Sequence, residues 1–346
     1  MIVPEAIERV AAPAPGAAAR LAPGLEWLRL PVPGKLGHIN VWLLDDGGSL
    51  TLVDTGMNVP DARAAWDGPL TAVLAGRRLT RIICTHHHPD HAGLVAWLAE
   101  RHGARVWMSA PELEIVARAY GDRHDPLALE ARRAAFARDG LEVGDSSGRL
   151  LSGAGYLSVM SGLPAGVGLL AAGDVLEAGG LAWHVLELAG HTDAQLLLHA
   201  PAAGLLISGD QVLPRISANV GIYPERSDTN PLGSYLASFD VLEALNPEPV
   251  VLPSHGEPFR ALRARIGELR RHHGERLQAV EVLCRSPLTA AEVAALLYRG
   301  ATDPLNRMLA VGETLAHLRL LEIRGRVEAR ESPGQPRRFV ASTTGG

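Results

Sequence analysis

The sequence predicts an α/β fold for residues 1–259 and a small α+β domain for residues 260–346. In the first part, short apolar strands alternate with helical patterns, which is the order expected of β-α-β units. The second part shows three helical patterns and then two strands around a Gly/Pro turn. The sign of the net charge changes at the same point. Residues 260–346 contain 15 arginines and nine acidic residues, whereas the rest of the chain contains 18 basic and 29 acidic residues.

The elements of the first part are identified by their apolar runs and by the turn residues between them. The predicted strands lie at residues 27–30, 40–44, 50–53, 81–84, 105–108, 182–188, 196–199, 205–208 and 250–252. The predicted helices lie at residues 61–75, 92–101 and 232–245. Residues 111 to about 170 interrupt this order, with helical patterns at 111–119 and 127–138 followed by Gly/Ser-rich sequence. We interpret them as a helical insertion that covers a pocket.

The composition is that of an ordinary globular protein. Hydrophobic residues make up 47% of the chain and charged residues 21%, and the apolar runs are too short to span a bilayer. The N-terminus lacks a charged segment followed by an apolar core, so we expect a cytoplasmic protein. Cys84 and Cys284 lie far apart in sequence, which predicts reduced thiols rather than a disulfide framework.

The strongest chemical signal is the run Thr85-His86-His87-His88-Pro89-Asp90-His91, directly after a predicted strand. Neutral imidazole is the commonest metal ligand in proteins, and several histidines on one tight turn destabilise a fold unless a polar or cationic group gathers them. The run therefore predicts a metal site. In an extended segment His87 points away from His86 and His88, so we leave His87 out of the ligand set.

Four further loops share one pattern, in which an apolar strand ends at a small residue beside a histidine or an aspartate. They are Val53-Asp54-Thr55-Gly56, Ala189-Gly190-His191-Thr192, Ser208-Gly209-Asp210 and Pro253-Ser254-His255-Gly256. Each loop alone is better explained by a capping aspartate or a hydrogen-bonded surface histidine. Their occurrence together with the histidine run predicts that all of them deliver ligand side chains to one edge of the sheets.

The order of these motifs resembles that of the metallo-β-lactamase-fold hydrolases. The matching residues are His86, His88, Asp90 and His91 in the run, and Asp54, His191, Asp210 and His255 in the other loops. The resemblance implies a four-layer αββα sandwich, with two facing mixed sheets, helices outside and a metal site at one edge.

The resemblance also implies a role for each residue in holding two divalent metal ions. The first ion would be held by His86, His88 and His191, and the second by Asp90, His91 and His255. Asp210 would bridge the two ions, and Asp54 would support the ligand loops without binding metal. Zinc is the expected ion, with iron and manganese as alternatives, because His/carboxylate sites accept all three.

Such a site is expected to be hydrolytic. Three protein ligands for each ion leave a coordination position for water, and two divalent ions can hold a hydroxide between them that attacks a polarised carbonyl or phosphoryl group. Asp210 and Asp90 are the predicted catalytic carboxylates. Asp210 partly offsets the charge of the ions, and Asp90 is placed to orient the nucleophile or to carry its proton.

The bridging aspartate also reduces the number of reactions that the resemblance allows. Zinc β-lactamases usually lack it, whereas thioesterase, lactonase, phosphodiesterase and nuclease relatives keep it, so Asp210 disfavours β-lactam hydrolysis. The flavin-linked diiron oxidases carry a carboxylate where His88 stands, and a flavin domain that we do not find. The mononuclear iron persulfide dioxygenases share most of the ligand set and stay an alternative.

Residues 260–346 resemble the winged-helix domain of a subgroup of these hydrolases that includes an endoribonuclease-like branch. The predicted helices lie at 260–284, from 290 onward and at 308–320, and the ribbon strands at 324–330 and 337–340. One use of this domain is nucleic-acid binding through the third helix and through Arg324, Arg326, Arg337 and Arg338. The other is packing against the first part of the chain, or forming a homodimer. We favour packing, because the third helix consists mainly of apolar and small residues.

The leading hypothesis is a dinuclear metal-dependent hydrolase of a small acyl substrate, a thioester or an ester. Arg215 is a candidate for binding an anionic group of that substrate, although a surface salt bridge explains it better, and Asn219 and Tyr223 are further pocket candidates. The alternative is a metal-dependent endoribonuclease or phosphodiesterase that uses the basic C-terminal domain. A binding protein with a decayed site is disfavoured, because no expected ligand is missing.

Overall fold

The computed structural model describes residues 7, 10–144, 153–224, 226 and 229–342, except for the side chains of residues 153 and 154. Its strands are β1 (Ala17–Ala22), β2 (Leu25–Val32), β3 (Gly37–Asp45), β4 (Ser49–Val53), β5 (Arg78–Ile83), β6 (Arg105–Met108), β7 (Gly168–Leu169), β8 (Val175–Ala178), β9 (Leu181–Leu188), β10 (Gln195–Ala200), β11 (Leu205–Gly209), β12 (Val250–Pro253), β13 (Val327–Ser332) and β14 (Gln335–Ala341). Its α-helices are α1 (Pro60–Asp67), α2 (Pro69–Leu74), α3 (Pro89–Ala92), α4 (Val95–His102), α5 (Ala110–Asp122), α6 (Pro126–Arg138), α7 (Gly153–Leu157), α8 (Pro231–Glu243), α9 (Leu262–Leu283), α10 (Ala290–Leu297) and α11 (Pro304–Ile323).

Two large sheets contain most of the strands. The first has the order β1-β2-β3-β4-β5-β6-β7, antiparallel from β1 to β4 and parallel from β4 to β7. The second has the order β12-β11-β10-β9-β8, in which β11 and β12 are parallel and the other pairs are antiparallel. Both sheets are mixed, as the resemblance to the metallo-β-lactamase-fold hydrolases implies.

Side-chain alternation within the strands builds the layers. In β10, Leu196 and Leu198 belong to a core that also contains Trp42 and Ile83 of the first sheet, so this core lies between the sheets. Leu197 points to the other side and packs in the cluster that contains residues of α8 and α9. The outer face of the first sheet packs in the same way on α1, α2 and α4. The layers are therefore helix, sheet, sheet and helix.

Two predicted helices differ from the helices of the structure. The prediction of one helix at 61–75 is wrong, because α1 ends before Gly68 and α2 begins at Pro69. Proline has no backbone N–H and its ring clashes with the preceding turn, so it is tolerated at the start of a helix but not inside one. The predicted helix at 92–101 corresponds to α4, which begins three residues later at Val95, and Ala92 is the last residue of the short helix α3.

The sequence reasoning also missed three strands. β1 is rich in alanine, a residue depleted in strands, and β7 and β8 are only two and four residues long. Because β7 pairs with β6, its residues belong to the first sheet, and the insertion ends before Gly168 rather than near residue 170. The predicted helices of the insertion are present as α5 and α6.

The C-terminal region consists of α9, α10 and α11 followed by the ribbon of β13 and β14. Val311 and Leu315 of α11 share one apolar core with Phe239 of α8 and with Leu206 of the second sheet. Ten of the 20 residues of α11 are buried, so much of this helix is covered by the rest of the protein. The boundary at residue 260 and the winged-helix resemblance stay predictions.

Among the described residues, none of the helices combines the length and the apolar composition that a membrane-spanning segment requires.

Candidate metal centre

The predicted ligand loops meet at one edge of the two sheets. Asp54 and the histidine run follow β4 and β5, which are parallel neighbours in the first sheet. Asp210 and His255 follow β11 and β12, the parallel pair of the second sheet. His191 lies in the loop between β9 and β10. The carboxyl ends of parallel strands face the same edge, which is why residues so distant in sequence come together.

Three histidine nitrogens form the first group of ligand-type atoms. Nε2 of His86 lies 3.0 Å from Nδ1 of His88 and 3.2 Å from Nε2 of His191. Zinc–nitrogen bonds of about 2.0–2.1 Å place tetrahedral ligands roughly 3.3 Å apart. The spacing of the three nitrogens therefore fits one metal ion.

Asp90, His91 and His255 form the second group. Nε2 of His255 lies 3.3 Å from Oδ2 of Asp90, and Nε2 of His91 lies 3.8 Å from the same oxygen. The three residues offer two imidazoles and one carboxylate, which is a ligand set typical of a catalytic rather than a structural zinc site.

Asp210 lies between the two groups. Its Oδ1 is 3.5 Å from Nε2 of both His91 and His255. Its Oδ2 is 3.4 Å from Nε2 of His191. One carboxylate oxygen thus faces each group, which is the arrangement that a bridging ligand requires.

The outer nitrogen of three of the rings is held by an acceptor. The Nδ1–H groups of His91, His191 and His255 lie 2.8 Å from Oδ2 of Asp54, the carbonyl of Asn219 and the carbonyl of His38, respectively. A neutral ring that donates from Nδ1 carries a lone pair on Nε2. In their neutral form these rings therefore direct the lone pair of Nε2 toward the centre, as in the histidines of zinc sites.

Several buried nitrogen and oxygen atoms at the centre receive no hydrogen bond from the described residues. Among the described residues, Nε2 of His91, Nε2 of His255 and Oδ1 of Asp210 have no hydrogen-bond partner. An unsatisfied buried polar group costs about 1–3 kcal/mol, and acceptors that face one another also repel. Divalent cations would satisfy these atoms, so the residues present fit a pair of metal ions.

Burial and neighbouring charges shift the pKa values of the ligand-type residues in different directions. Burial, reinforced by the adjacent imidazoles, holds the pKa of His86 and His88 well below the usual value. Burial alone would raise the pKa of Asp90, but the charges of His91 and His255 outweigh it and lower this pKa to about 2. Burial alone would lower the pKa of His91 and of His255, but the neighbouring aspartates outweigh it and raise both values. These two rings must therefore give up a proton when a cation binds, because only the neutral ring is a ligand.

His87 lies in none of the ligand groups of the described residues and contacts a carboxylate that sequence reasoning missed. Oε2 of Glu112 accepts from the backbone N–H of His87 at 3.0 Å and lies 2.5 Å from its Nδ1. The hydroxyl of Tyr156 donates to the carbonyl of His87. In the sequence, Glu112 is only an acidic residue in the first turn of a helix, where a favourable dipole interaction is the ordinary explanation.

A second buried network holds the His255 loop, and no pattern in the sequence predicts it. The amide of Asn40 in β3 donates to the carbonyls of Pro253 at 2.9 Å and Gly256 at 3.0 Å. Arg29 of β2 donates to the same Gly256 carbonyl at 2.9 Å. The first sheet thus holds a loop of the second sheet.

The three predicted pocket residues differ in their surroundings. Arg215 is exposed, whereas the hydroxyl of Tyr223 donates to Oδ1 of Asn219 at 2.6 Å. Asn219 in turn accepts from His191 through its carbonyl. Asn219 and Tyr223 therefore lie behind a predicted metal ligand, and their contact with a substrate stays a prediction.

Comparison with known proteins agrees with this architecture. Residues 34–255 match the metallo-beta-lactamase superfamily, and residues 277–342 match the metallo-beta-lactamase-like C-terminal domain. A probable metallo-hydrolase of Bacillus subtilis, YqjP, is 27% identical over 308 residues, which are 85% of this chain and 91% of that protein. A hydroxyacylglutathione hydrolase of Cereibacter sphaeroides is 31% identical over 159 residues, only 45% of this chain and 42% of that protein.

Solved structures extend the similarity to nearly the whole chain. A beta-lactamase domain protein from Burkholderia ambifaria is 34% identical with a TM-score of 0.82, covering 97% of this chain and 98% of that one. A metallo-beta-lactamase family protein from Thermus thermophilus is 31% identical with a TM-score of 0.80, covering 93% and 100%. With the matched fold and the clustered histidines and aspartates, these similarities establish that the chain belongs to the metallo-beta-lactamase superfamily and is a metal-dependent hydrolase.

Proposed function

We propose that this protein is a dinuclear metal-dependent hydrolase of a small acyl substrate, a thioester or an ester. The observation that carries the proposal is the position of Asp210, with one carboxylate oxygen toward His191 and the other toward His91 and His255. A bridging carboxylate is useful only where two cations lie close together. Zinc is the expected ion, with iron and manganese as alternatives.

The roles that we propose for the side chains follow from their positions. His86, His88 and His191 hold one ion, and Asp90, His91 and His255 hold the other. When bound, the ions would supply Lewis acidity, polarising the acyl carbonyl and lowering the pKa of a water molecule. Asp90 would orient that water or accept its proton, since its carboxylate is ionised and lies at the centre. Asp210 would keep the two positions at a fixed separation.

The names of several relatives support an acyl substrate. Hydroxyacylglutathione hydrolases recur among the relatives, and an acyl group on the thiol of glutathione is a thioester. The residues of this chain that match them are between 21% and 50% of its length, so the substrate itself is not carried over. We propose only the type of bond that is cleaved, a thioester or an ester.

The C-terminal region supports packing rather than RNA binding as its role. Nε and Nη2 of Arg337 donate to Oδ1 of Asp139 at 2.9 and 2.7 Å. Arg338 donates to Glu292 at 3.1 Å and to the carbonyl of Pro287 at 2.9 Å. Arginines that make ion pairs within the protein must give them up to bind phosphates. A winged-helix domain that packs on α8 is therefore our proposal for residues 260–346.

A substrate screen tests the proposal. Zinc-loaded protein is assayed with acyl-thioesters, aryl esters, lactones, phosphodiesters, β-lactams and RNA, and thioesters or esters should give the highest kcat/KM. His88→Ala should abolish turnover, whereas His124→Ala, at an exposed histidine of the insertion, should not. A preference for phosphodiesters or RNA would replace the acyl hypothesis with the nuclease alternative.

A further inference from the structure

We propose that Glu112 and Asn40 are positioning residues, each of which holds the ligand loops of one of the two metal positions. The inference rests on the metal-binding part of the proposed function and is independent of the substrate. Both side chains are fully buried and polar. Asn40 connects a strand of the first sheet to a loop of the second sheet. Glu112 connects a loop of the first sheet to a loop of the second sheet.

Glu112 connects the two loops that carry the all-histidine group. Its Oε2 contacts the N–H and Nδ1 of His87, which stands between His86 and His88. Its Oε1 accepts from the N–H of Ala194 at 2.9 Å, three residues after His191. The first loop follows β5 in the first sheet, and the second precedes β10 in the second sheet. One carboxylate therefore sets the separation of loops that the chain itself does not join.

Ser109, three residues before Glu112, completes this contact. Its hydroxyl donates to the carbonyl of Ala194 at 2.7 Å. The start of α5 consequently binds both the N–H and the carbonyl of Ala194. A residue held on both sides of its backbone has little freedom to shift, so the loop that presents His191 is fixed relative to α5 and, through Glu112, relative to His86 and His88.

A glutamine at position 112 would preserve shape but not hydrogen bonding. The carboxylate accepts from three nitrogen donors, namely N–H of His87, Nδ1–H of His87 and N–H of Ala194. The amide of glutamine has one accepting oxygen and one donating NH₂ group. Whichever way it is turned, its NH₂ group meets at least one of these donors, so one loop must move away.

Asn40 has the corresponding position for the second group. Its amide group donates to the carbonyls of Pro253 and Gly256 on the two sides of His255. Its own Oδ1 accepts from Nε of Arg29 at 3.2 Å. The asparagine is thereby turned so that its NH₂ group faces the loop. It fixes the backbone from which His255 reaches Asp90 and Asp210.

Aspartate at position 40 is the matched change. It has nearly the same shape, but both of its oxygens are acceptors, and one of them would face the carbonyls of Pro253 and Gly256. The repulsion would displace the His255 loop and leave the hydrogen bonds of Glu112 in place, because the side chains of Glu112 and Asn40 share no hydrogen-bond partner among the described residues. Each substitution should therefore lower the metal affinity of only one of the two positions.

Cadmium-113 NMR of protein loaded with two equivalents of cadmium provides the test, with dissociation constants from competition against a chromophoric chelator. The all-histidine position and the position with Asp90 should give separate resonances. We expect Glu112→Gln to weaken the all-histidine position by about 10-fold or more and Asn40→Asp to weaken the other position by a similar factor, which is the usual range for partners of metal ligands. Glu114→Gln, at an exposed glutamate of the same helix, should change neither.

Further variants separate positioning from general destabilisation. His87→Asn keeps a donor near Nδ1 and should bind like the parent, whereas His87→Leu removes this donor and should weaken only the all-histidine position. If Glu112→Gln or Asn40→Asp does not fold, His87→Leu and Arg29→Gln make the same distinction with milder changes. Equal weakening of both positions, or no change at either, would overturn the inference. Normal metal binding without turnover would instead count against the acyl hydrolase proposal alone.

Discussion

Oδ2 of Asp54 accepts a hydrogen bond of 2.8 Å from Nδ1 of His91, and its Oδ1 accepts one of 2.8 Å from the N–H of Thr85. Asp54 has a φ of 63°, a left-handed conformation that is uncommon outside glycine and occurs most often in Asn and Asp. This conformation turns the carboxylate from the end of β4 toward the histidine run. Asp54 therefore adopts a strained backbone conformation in which its carboxylate orients the imidazole of His91.

Replacing Asp54 by asparagine should weaken metal binding. Asparagine tolerates the same φ, but its NH₂ group would face either Thr85 or His91, both of which donate. We expect zinc affinity to fall by about 10- to 100-fold, measured by chelator competition at neutral pH. Asp61→Asn, at an exposed carboxylate of α1, is the control. Parent-like affinity in Asp54→Asn would show that Asp54 does not orient His91.

Gly312 of α11 should not tolerate a side chain. A Cβ there would lie 2.4 Å from Cε1 of Tyr223, whose hydroxyl binds Asn219 behind His191. We expect Gly312→Ala to lower the free energy of unfolding by about 1–3 kcal/mol, as overpacking does, and to reduce kcat/KM. Gly274→Ala in α9 meets no atom within 4 Å and should stabilise the protein by about 0.5–1 kcal/mol. Equal stability changes in urea unfolding would contradict this packing.

Acid should destabilise the protein through a buried histidine pair. Nδ1 of His273 lies 3.3 Å from Nε2 of His317, and burial lowers their pKa values to about 3 and about 4. The unfolded chain, with histidine pKa values of about 6.5, binds more protons as the pH falls through that value toward the folded-state values. The free energy of unfolding should therefore decrease across that window.

The double variant His273→Leu/His317→Leu tests this linkage. Urea unfolding of the parent and the variant is compared at pH 7 and pH 5, so that other titrating groups cancel in the difference. The loss of stability on acidification should be smaller in the variant. An identical loss would mean that the pair is not responsible.

Arg337 and Arg338 should respond differently to neutralisation. Arg337 pairs with the buried carboxylate of Asp139, whereas Arg338 is largely exposed. Arg337→Gln should lower the free energy of unfolding by about 1–3 kcal/mol, because it leaves Asp139 without its charged partner. Arg338→Gln should have little effect. If both variants are as stable as the parent but no longer show the salt-sensitive RNA binding of the parent, the result would support the nucleic-acid hypothesis instead.

The sequence predicts the seven ligand-type residues because their chemistry is unusual. Histidines in a run, and aspartates beside glycine at strand ends, are hard to explain by packing alone, and the structure brings all seven together. Most strand positions are also predictable, since β9, β10 and β12 are apolar runs between turn residues.

Glu112 and Asn40 are not predictable in the same way. An acidic residue in the first turn of a helix and a polar residue in a strand are common and have ordinary surface explanations. Their importance depends on which loops lie beside them, and that is decided by contacts between sheets far apart in sequence. The same holds for the division of α1 from α2, where the apolar periodicity continues but Pro69 prevents one helix.

The dependence of thioester hydrolysis on zinc content tests the central claim most directly. Metal-free protein is titrated with zinc while the rate of acyl-thioester hydrolysis is followed. The rate should rise to a plateau at two zinc ions per chain, and His88→Ala should stay inactive throughout. Hydrolysis that persists in the metal-free protein, or a plateau at one ion, would contradict a dinuclear hydrolytic centre.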